Sequence, residues 1–109
     1  MVEDHVLDRT YAALADPTRR ALLVALRAGG ARITDLAEPI PMSFAGVSRH
    51  VGVLEAAGLI RREVRGREHW LSVQPDALRE AERWISEQES FWSRRADTLS
   101  ARLERKQRA

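Results

Sequence analysis

The sequence predicts a mainly α-helical domain that carries one small β-hairpin. Apolar residues recur at helical spacing in five segments, whereas residues 59–73 follow a shorter, strand-like period. Proline or glycine separates most of these segments. A chain of 109 residues has the size of one domain with a single core. We therefore expect five helices and a two-stranded hairpin in one domain that covers residues 1–109.

The first two helices are predicted on either side of Asp16-Pro17. Helical spacing over residues 5–14 is set by Val6, Leu7, Tyr11 and Leu14. Asp16 is a good N-cap and Pro17 suits a first helical turn, so a second helix is expected over residues 17–28, ending at Gly29-Gly30. Its predicted buried residues are Leu22, Leu23 and Leu26.

A very short third helix and a longer fourth helix follow. The third contains Ile33, Leu36 and Ala37 and is stopped by Pro39 and Pro41. Ser43 is the expected N-cap of the fourth, which runs to Gly58. On a helical wheel one face of this helix holds Phe44, Val47, Val51 and Leu54. We expect this face to be buried against Ile33, Leu36, Leu59 and Ile60.

The opposite face of the fourth helix is unusually bare. It holds Ala45, Arg49, Gly52 and Ala56, with Ser48 at one edge and His50 at the other margin. An interior Gly costs about 1 kcal/mol relative to Ala, so Gly46 and Gly52 weaken the helix unless something approaches it closely. A DNA major groove, about 12 Å wide, is such a partner. The alternative is that small surface residues accumulate by drift in an Ala-rich protein.

The hairpin carries a concentration of arginine. Ile60 and Val64 precede Gly66, and Leu71 and Val73 follow it, which predicts two strands joined at Arg65-Gly66-Arg67. Of the 18 basic residues in the chain 17 are arginine, and four of them, Arg61, Arg62, Arg65 and Arg67, lie on this hairpin. Arginine favours contact with phosphate and guanine. The alternatives are a GC-rich genome, which enriches arginine everywhere, and a charged edge that protects exposed strands.

A long last helix is predicted over residues 76–104, after Pro75. Leu78, Ile85, Trp92 and Leu99 are seven residues apart, and Trp84 and Phe91 lie beside them. Monomers rarely tolerate such an exposed apolar stripe, so association through the first and last helices is expected. The predicted dimer interface consists of Leu7, Tyr11, Trp84, Ile85, Phe91, Trp92 and Leu99. Twofold symmetry would place two fourth helices about 34 Å apart, one turn of DNA.

The order of these elements is that of a winged helix-turn-helix, with residues 33–58 as the helix-turn-helix and 59–73 as the wing. The segments "ALADPTRRALLVAL", "ITDLAEPIPMSFAGVSRHVGVLEAAGLI" and "REVRGREHWLSVQPDAL" resemble the ArsR/SmtB family of bacterial winged-helix repressors over about residues 8–100. The resemblance implies a homodimer that binds a partly palindromic operator, often in its own promoter, and leaves it when a ligand or metal arrives.

The resemblance also assigns site residues. Ser43, Ser48, Arg49 and His50 match the positions of the recognition helix that meet DNA, and Arg65 and Arg67 match the wing tip. Ala45 and Gly52, from the bare face, complete the predicted DNA-binding set. We expect Arg49 and Ser48 to read base edges, and Ser43, Arg65 and Arg67 to hold phosphates.

The metal sites that the family is known for are not expected here. The sequence has no cysteine, and "ITDLAEP" stands where one family site has a Cys-x-Cys pair. No histidine follows His69, and "WISEQESFW" supplies only Glu87 and Glu89, which are poor zinc ligands without imidazole. We therefore expect neither a metal nor a cofactor.

The predicted function is that of a cytoplasmic, dimeric regulator that binds double-stranded DNA, most simply a repressor. Neither a basic, apolar leader nor a membrane span is expected. The alternative is a protein-interaction module that uses the aromatic last helix. A catalytic role is not expected, since no nucleophile has an adjacent base. The sequence leaves open the effector, the operator, the sign of regulation and whether Trp84 and Trp92 line a ligand pocket.

Overall fold

Five α-helices and three strands follow one another in the computed structural model, which describes the backbone of residues 2–108 and the side chains of residues 5–108. The helices are α1 (Val2–Leu14), α2 (Pro17–Ala25), α3 (Ile33–Ala37), α4 (Phe44–Ala56) and α5 (Asp76–Arg108). A 3-10 turn over Leu26–Ala28 extends α2 to the predicted end. The strands are β1 (Ala31–Arg32), β2 (Ile60–Arg65) and β3 (Glu68–Val73). The mainly helical fold with a hairpin is thereby confirmed.

The three strands form one antiparallel sheet in the order β1-β3-β2. The predicted hairpin pairs Ile60 with Val73 at its base and Arg65 with Glu68 at its tip. Gly66 adopts a φ of 63° in the turn, a conformation that suits glycine. The third strand was not predicted, because a two-residue strand has no measurable period. It pairs with β3 where Gly30 comes so close that an added Cβ would lie 3.3 Å from the carbonyl oxygen of Leu71.

The core lies between α2, α3, α4 and the sheet. Its fully buried side chains include Leu22, Val47, Val51, Leu54, Leu59 and Leu71. Ile33, Leu36 and Ile60 are also buried, so the predicted packing of α4 is confirmed at Val47, Val51 and Leu54.

The prediction that Phe44 is buried is wrong, since this residue is 53% exposed. Phe44 opens the first turn of α4, where its side chain reaches the rim of a surface cleft between α4 and the sheet instead of the core.

Helix α5 extends far beyond the rest of the domain. Its 33 residues span about 50 Å at 1.5 Å per residue. Ala81 is buried against α1, where the hydroxyl of Tyr11 donates a hydrogen bond to the Ala81 carbonyl at 3.1 Å. Residues 91–108 are exposed throughout, and the molecule measures 74 × 31 × 22 Å. None of the helices over residues 2–108 combines the length and the apolar character that crossing a membrane requires.

Candidate nucleic-acid interface

Ser43 caps the N-terminus of α4 as predicted. Its side-chain oxygen accepts a hydrogen bond from the backbone N–H of Gly46 at 3.1 Å. Because the oxygen acts as the acceptor, the hydroxyl proton of this exposed residue remains free to donate outward. The N-terminus of a helix also carries a partial positive charge, which favours anions. The geometry suits a phosphate at this point.

None of the residues on the bare face of α4 is buried. Ala45, Arg49 and Ala56 are exposed, whereas Ser48 and Gly52 are partly exposed. Apart from its chain neighbours and the backbone of α4 itself, nothing lies within 4 Å of a Cβ added at Gly52, so the fold does not require glycine there. The ion pairs found among the described residues do not include Arg49. Its guanidinium group is therefore available to an external partner.

The two arginines of the wing tip differ in their surroundings. Arg65 lies 3.2 Å from a carboxylate oxygen of Glu63, and its guanidinium carbon lies 5.0 Å from the centre of the Trp70 ring. The hydrogen bond from Arg65 lowers the pKa of Glu63. Arg67 is exposed and, over residues 5–108, has no such carboxylate partner. Arg67 is therefore the less engaged of the two cations.

A cleft of about 320 Å³ separates the first turns of α4 from the sheet. Phe44 and Ser48 border it from α4, and Arg62, Arg67 and His69 border it from the hairpin. Arg62 is held by Glu55 of α4 at 3.3 Å. The start of α4 and the wing therefore border the same cleft and belong to one continuous surface.

His50 lies at the margin of α4 and contacts a residue that the sequence did not single out. An Arg19 side-chain nitrogen lies 3.1 Å from Nδ1 of His50. Arg19 also donates to the carbonyl oxygens of Ala13 at 2.7 Å and Ala12 at 2.9 Å. Since a guanidinium group can only donate, Nδ1 of His50 must act as the acceptor, which leaves Nε2 with the proton. In the sequence, the only signal that could have pointed to the contact between Arg19 and His50 is the place of Arg19 in the "ADPTR" segment.

Asp16 lies beside both Arg19 and His50. Its carboxylate accepts a hydrogen bond from the backbone N–H of Arg19 at 3.0 Å and lies 3.8 Å from Nδ1 of His50. The hydrogen bond from the backbone N–H of Arg19 is the main cause that lowers the pKa of Asp16, and the positive charge of Arg19 acts in the same direction. The predicted N-cap of α2 therefore also faces α4.

The predicted dimer residues form an apolar stripe on α1 and α5. Leu7 and Tyr11 are partly buried, and the Tyr11 ring meets Trp84 edge to face at 6.2 Å between centroids. On α5 the exposed members are Trp84, Ile85, Phe91, Trp92 and Leu99. Leu103, also exposed, extends the stripe beyond the predicted set. We call these eight residues the apolar stripe.

The histidines and carboxylates do not assemble into a metal site in the part of the chain that the structure describes. There, no three of these side chains lie close enough to hold a metal ion.

A family model and several relatives match this chain. A helix-turn-helix domain model matches residues 14–63. The HTH-type transcriptional regulator Rv2034 of Mycobacterium tuberculosis is 33% identical over 87 residues, 80% of this chain and 78% of the relative. The transcriptional repressor SdpR of Bacillus subtilis is 28% identical over 79 residues, 72% of this chain and 88% of the relative.

Solved structures share the fold. The crystal structure of an ArsR family transcriptional regulator has a TM-score of 0.79 and 34% identity, over 83% of this chain and 93% of that chain. The solution structure of a homodimeric winged helix-turn-helix DNA-binding domain from Mycobacterium bovis has a TM-score of 0.66 and 19% identity, over 81% of this chain and 82% of that chain. Helix order, wing and sequence identity agree: the chain belongs to the ArsR/SmtB family of winged helix-turn-helix transcriptional regulators.

Proposed function

We propose that this protein is a dimeric, sequence-specific DNA-binding regulator of transcription, and that it acts as a repressor. The observation that carries the proposal is the bare face of α4, on which Arg49 is exposed and outside the ion pairs of the described residues. Bulky side chains on this face would hold the helix away from the bases of a major groove. Repression is supported by the relative that is named a transcriptional repressor.

The proposed contacts divide into two kinds. Arg49 and Ser48 read base edges, with Ala45 and Gly52 allowing the close approach. Ser43, Arg65 and Arg67 hold phosphates and set the position of the protein on the duplex. Nδ1 of His50 accepts a hydrogen bond from Arg19. His50 would therefore donate its Nε2 proton to the DNA backbone.

Dimerisation through the apolar stripe belongs to the same proposal. The stripe is exposed in the single chain, and the M. bovis neighbour is described as homodimeric. A twofold dimer would present two α4 helices to successive major grooves about 34 Å apart. The protein would work in the cytoplasm without catalytic activity, on an operator that lies in its own promoter.

The proposal is tested by titrating the purified protein against the DNA upstream of its own gene and against a scrambled duplex, at 50 and 200 mM salt. Six to ten phosphate contacts predict that specific affinity falls by about 10³ to 10⁵ between these conditions. Arg49→Ala should cost about 1–3 kcal/mol on the specific duplex and little on the scrambled one. Arg67→Ala should weaken both duplexes alike and reduce the salt slope by about one.

Arg102→Ala provides the matched control, because it removes the same charge from α5. This variant should bind both duplexes like the unmodified protein. Equal weak binding to both duplexes would direct the search to another operator by selection from random sequences. No binding to either duplex at low salt would refute the proposal.

That last outcome would favour a second candidate function, a protein-interaction module. The specific observation behind this candidate is the same apolar stripe, whose residue Trp92 is 62% exposed. A stripe that remains exposed in a monomeric protein in solution would be a surface for a different partner.

A further inference from the structure

Phe44 is a large apolar residue on the surface proposed to meet DNA. It is the first residue of α4, next to the N-cap Ser43, and it is 53% exposed. A phenyl ring that is half in water gives up much of the free energy that burial would provide. The core does not use this ring fully, so its role must be sought at the surface.

Phe44 lies at the cleft between α4 and the wing. Phe44 and Ser48 are four residues apart and share one side of the helix. Both border the cleft of about 320 Å³ whose opposite wall includes Arg67 of the wing. Phe44 therefore shares this cleft with a hydroxyl group that can read bases and with a cation that can hold a phosphate.

The chemistry of the major groove offers one apolar feature to such a ring. Hydrogen-bonding groups mark most base edges, but the C5-methyl group of thymine is recognised by apolar contact, for which phenylalanine is suited. In helix-turn-helix proteins the N-terminal residues of the recognition helix make the base contacts. Phe44 occupies that end of α4.

We propose that Phe44 is a specificity-determining residue that recognises a C5-methyl group on a pyrimidine, in each half of the operator. Thymine is the common source of this group, and 5-methylcytosine offers the same methyl group in the same groove. The inference rests on the proposed function, since it requires that α4 enters the major groove.

The experiment uses the highest-affinity duplex that the full-length protein selects from a random-sequence pool. Each thymine is replaced in turn by deoxyuridine, which lacks only the methyl group. At one thymine in each half-site, the replacement should weaken binding by about fourfold, the value of one buried methyl group. In a second set of duplexes each cytosine is replaced by 5-methylcytosine, and a gain of similar size would identify that base as the source.

Phe44→Ala should bind the methylated and unmethylated duplexes equally, whereas Phe44→Leu should keep part of the preference. Val53→Ala is the matched control, because Val53 is also an exposed apolar residue of α4, 38% exposed. This control should retain the full preference. Circular dichroism on heating verifies that both Phe44 variants fold.

The outcomes separate the inference from the function on which it rests. Failure to select any duplex would refute the proposed function itself. A selected duplex that tolerates every replacement would overturn the role of Phe44 alone. A methyl preference that survives in Phe44→Ala would overturn it as well, since another residue would then read the methyl group.

Discussion

At the residue scale, Arg19 joins parts of the molecule that are distant in sequence. Its guanidinium group donates to the last carbonyls of α1 and to Nδ1 of His50 on α4. Carbonyls at a helix C-terminus carry partial negative charge and lack intrahelical partners, so a cation there is favourable. The same side chain fixes the tautomer of His50. The orientation of α4 is thereby tied to the helix that contributes Tyr11 to the apolar stripe.

The pKa of Asp16 predicts a pH dependence of stability. Because the folded state lowers this pKa, the ionised carboxylate stabilises the fold above the ordinary pKa of aspartate, about 3.9. This contribution is lost as the pH falls through the lowered value. Asp16→Asn keeps an N-cap acceptor but cannot ionise. Urea unfolding should therefore show the wild type to be more stable than Asp16→Asn at pH 7, with a difference that shrinks below about pH 4.

Asp97→Asn on the exposed half of α5 is the control for this prediction, since Asp97 takes part in none of the ion pairs found among the described residues. A difference between wild type and Asp16→Asn that stays constant from pH 7 to pH 3 would contradict the assignment.

Single residues also mark where sequence reasoning failed. Spacing places Phe44 on the same wheel face as Val47 and Val51, but it cannot show that the packed layer ends before the first turn of α4. The assignment of His50 to DNA stays a prediction, but the sequence did not reveal that its Nδ1 faces Arg19, a contact that spans 31 positions and leaves no periodic signal. Both cases depend on tertiary neighbours, which a local pattern does not contain.

At the scale of elements, the boundaries were largely predictable because they have local chemical causes. Asp16 and Ser43 each accept a hydrogen bond from the amide three residues later, as N-cap residues do. Gly66 supplies the positive φ of the hairpin turn. Strand β1 lacks such a cause: its two residues become a strand because Ala31 pairs with Leu71 across the fold.

At Gly52 of α4, we expect one substitution to change the stability of the fold and the affinity for DNA in opposite directions. Alanine favours a helix interior by about 1 kcal/mol over glycine, and the space around Gly52 is open for a Cβ. Gly52→Ala should therefore raise the free energy of unfolding by about 0.5–1 kcal/mol. The same methyl group would lie between the helix and the bases, so the affinity for the operator should fall.

Urea unfolding and an anisotropy titration of the same preparation measure the two effects. Ser90→Ala on α5 is the control, which should leave affinity for DNA unchanged. Unaltered operator binding by Gly52→Ala would show that DNA does not approach this face closely.

At the scale of the whole molecule, the apolar stripe predicts how the chain associates. Leu99 is 58% exposed on the part of α5 that extends away from the domain. Leu99→Glu would place a charge in each half of the proposed interface, where burial without a partner is costly. Sedimentation should show half the mass of the unmodified protein, and affinity for a duplex with two half-sites should fall with it.

Val24→Glu is the matched control for Leu99→Glu. Val24 is 51% exposed on α2, outside the apolar stripe, and its replacement by glutamate should leave the dimer intact. A monomeric unmodified protein, or a dimeric Leu99→Glu, would contradict the proposed interface.

The length of α5 also has a consequence for how the protein would respond to its own abundance. Residues 91–108 are exposed in a single chain, and in the proposed dimer their apolar side chains would be covered only when two chains meet. Below the dissociation constant of the proposed dimer, the amount of dimer rises with the square of the chain concentration. Doubling synthesis would then increase operator occupancy about fourfold at low occupancy. A protein that controls its own promoter in this way would switch off its synthesis over a narrow range of concentration.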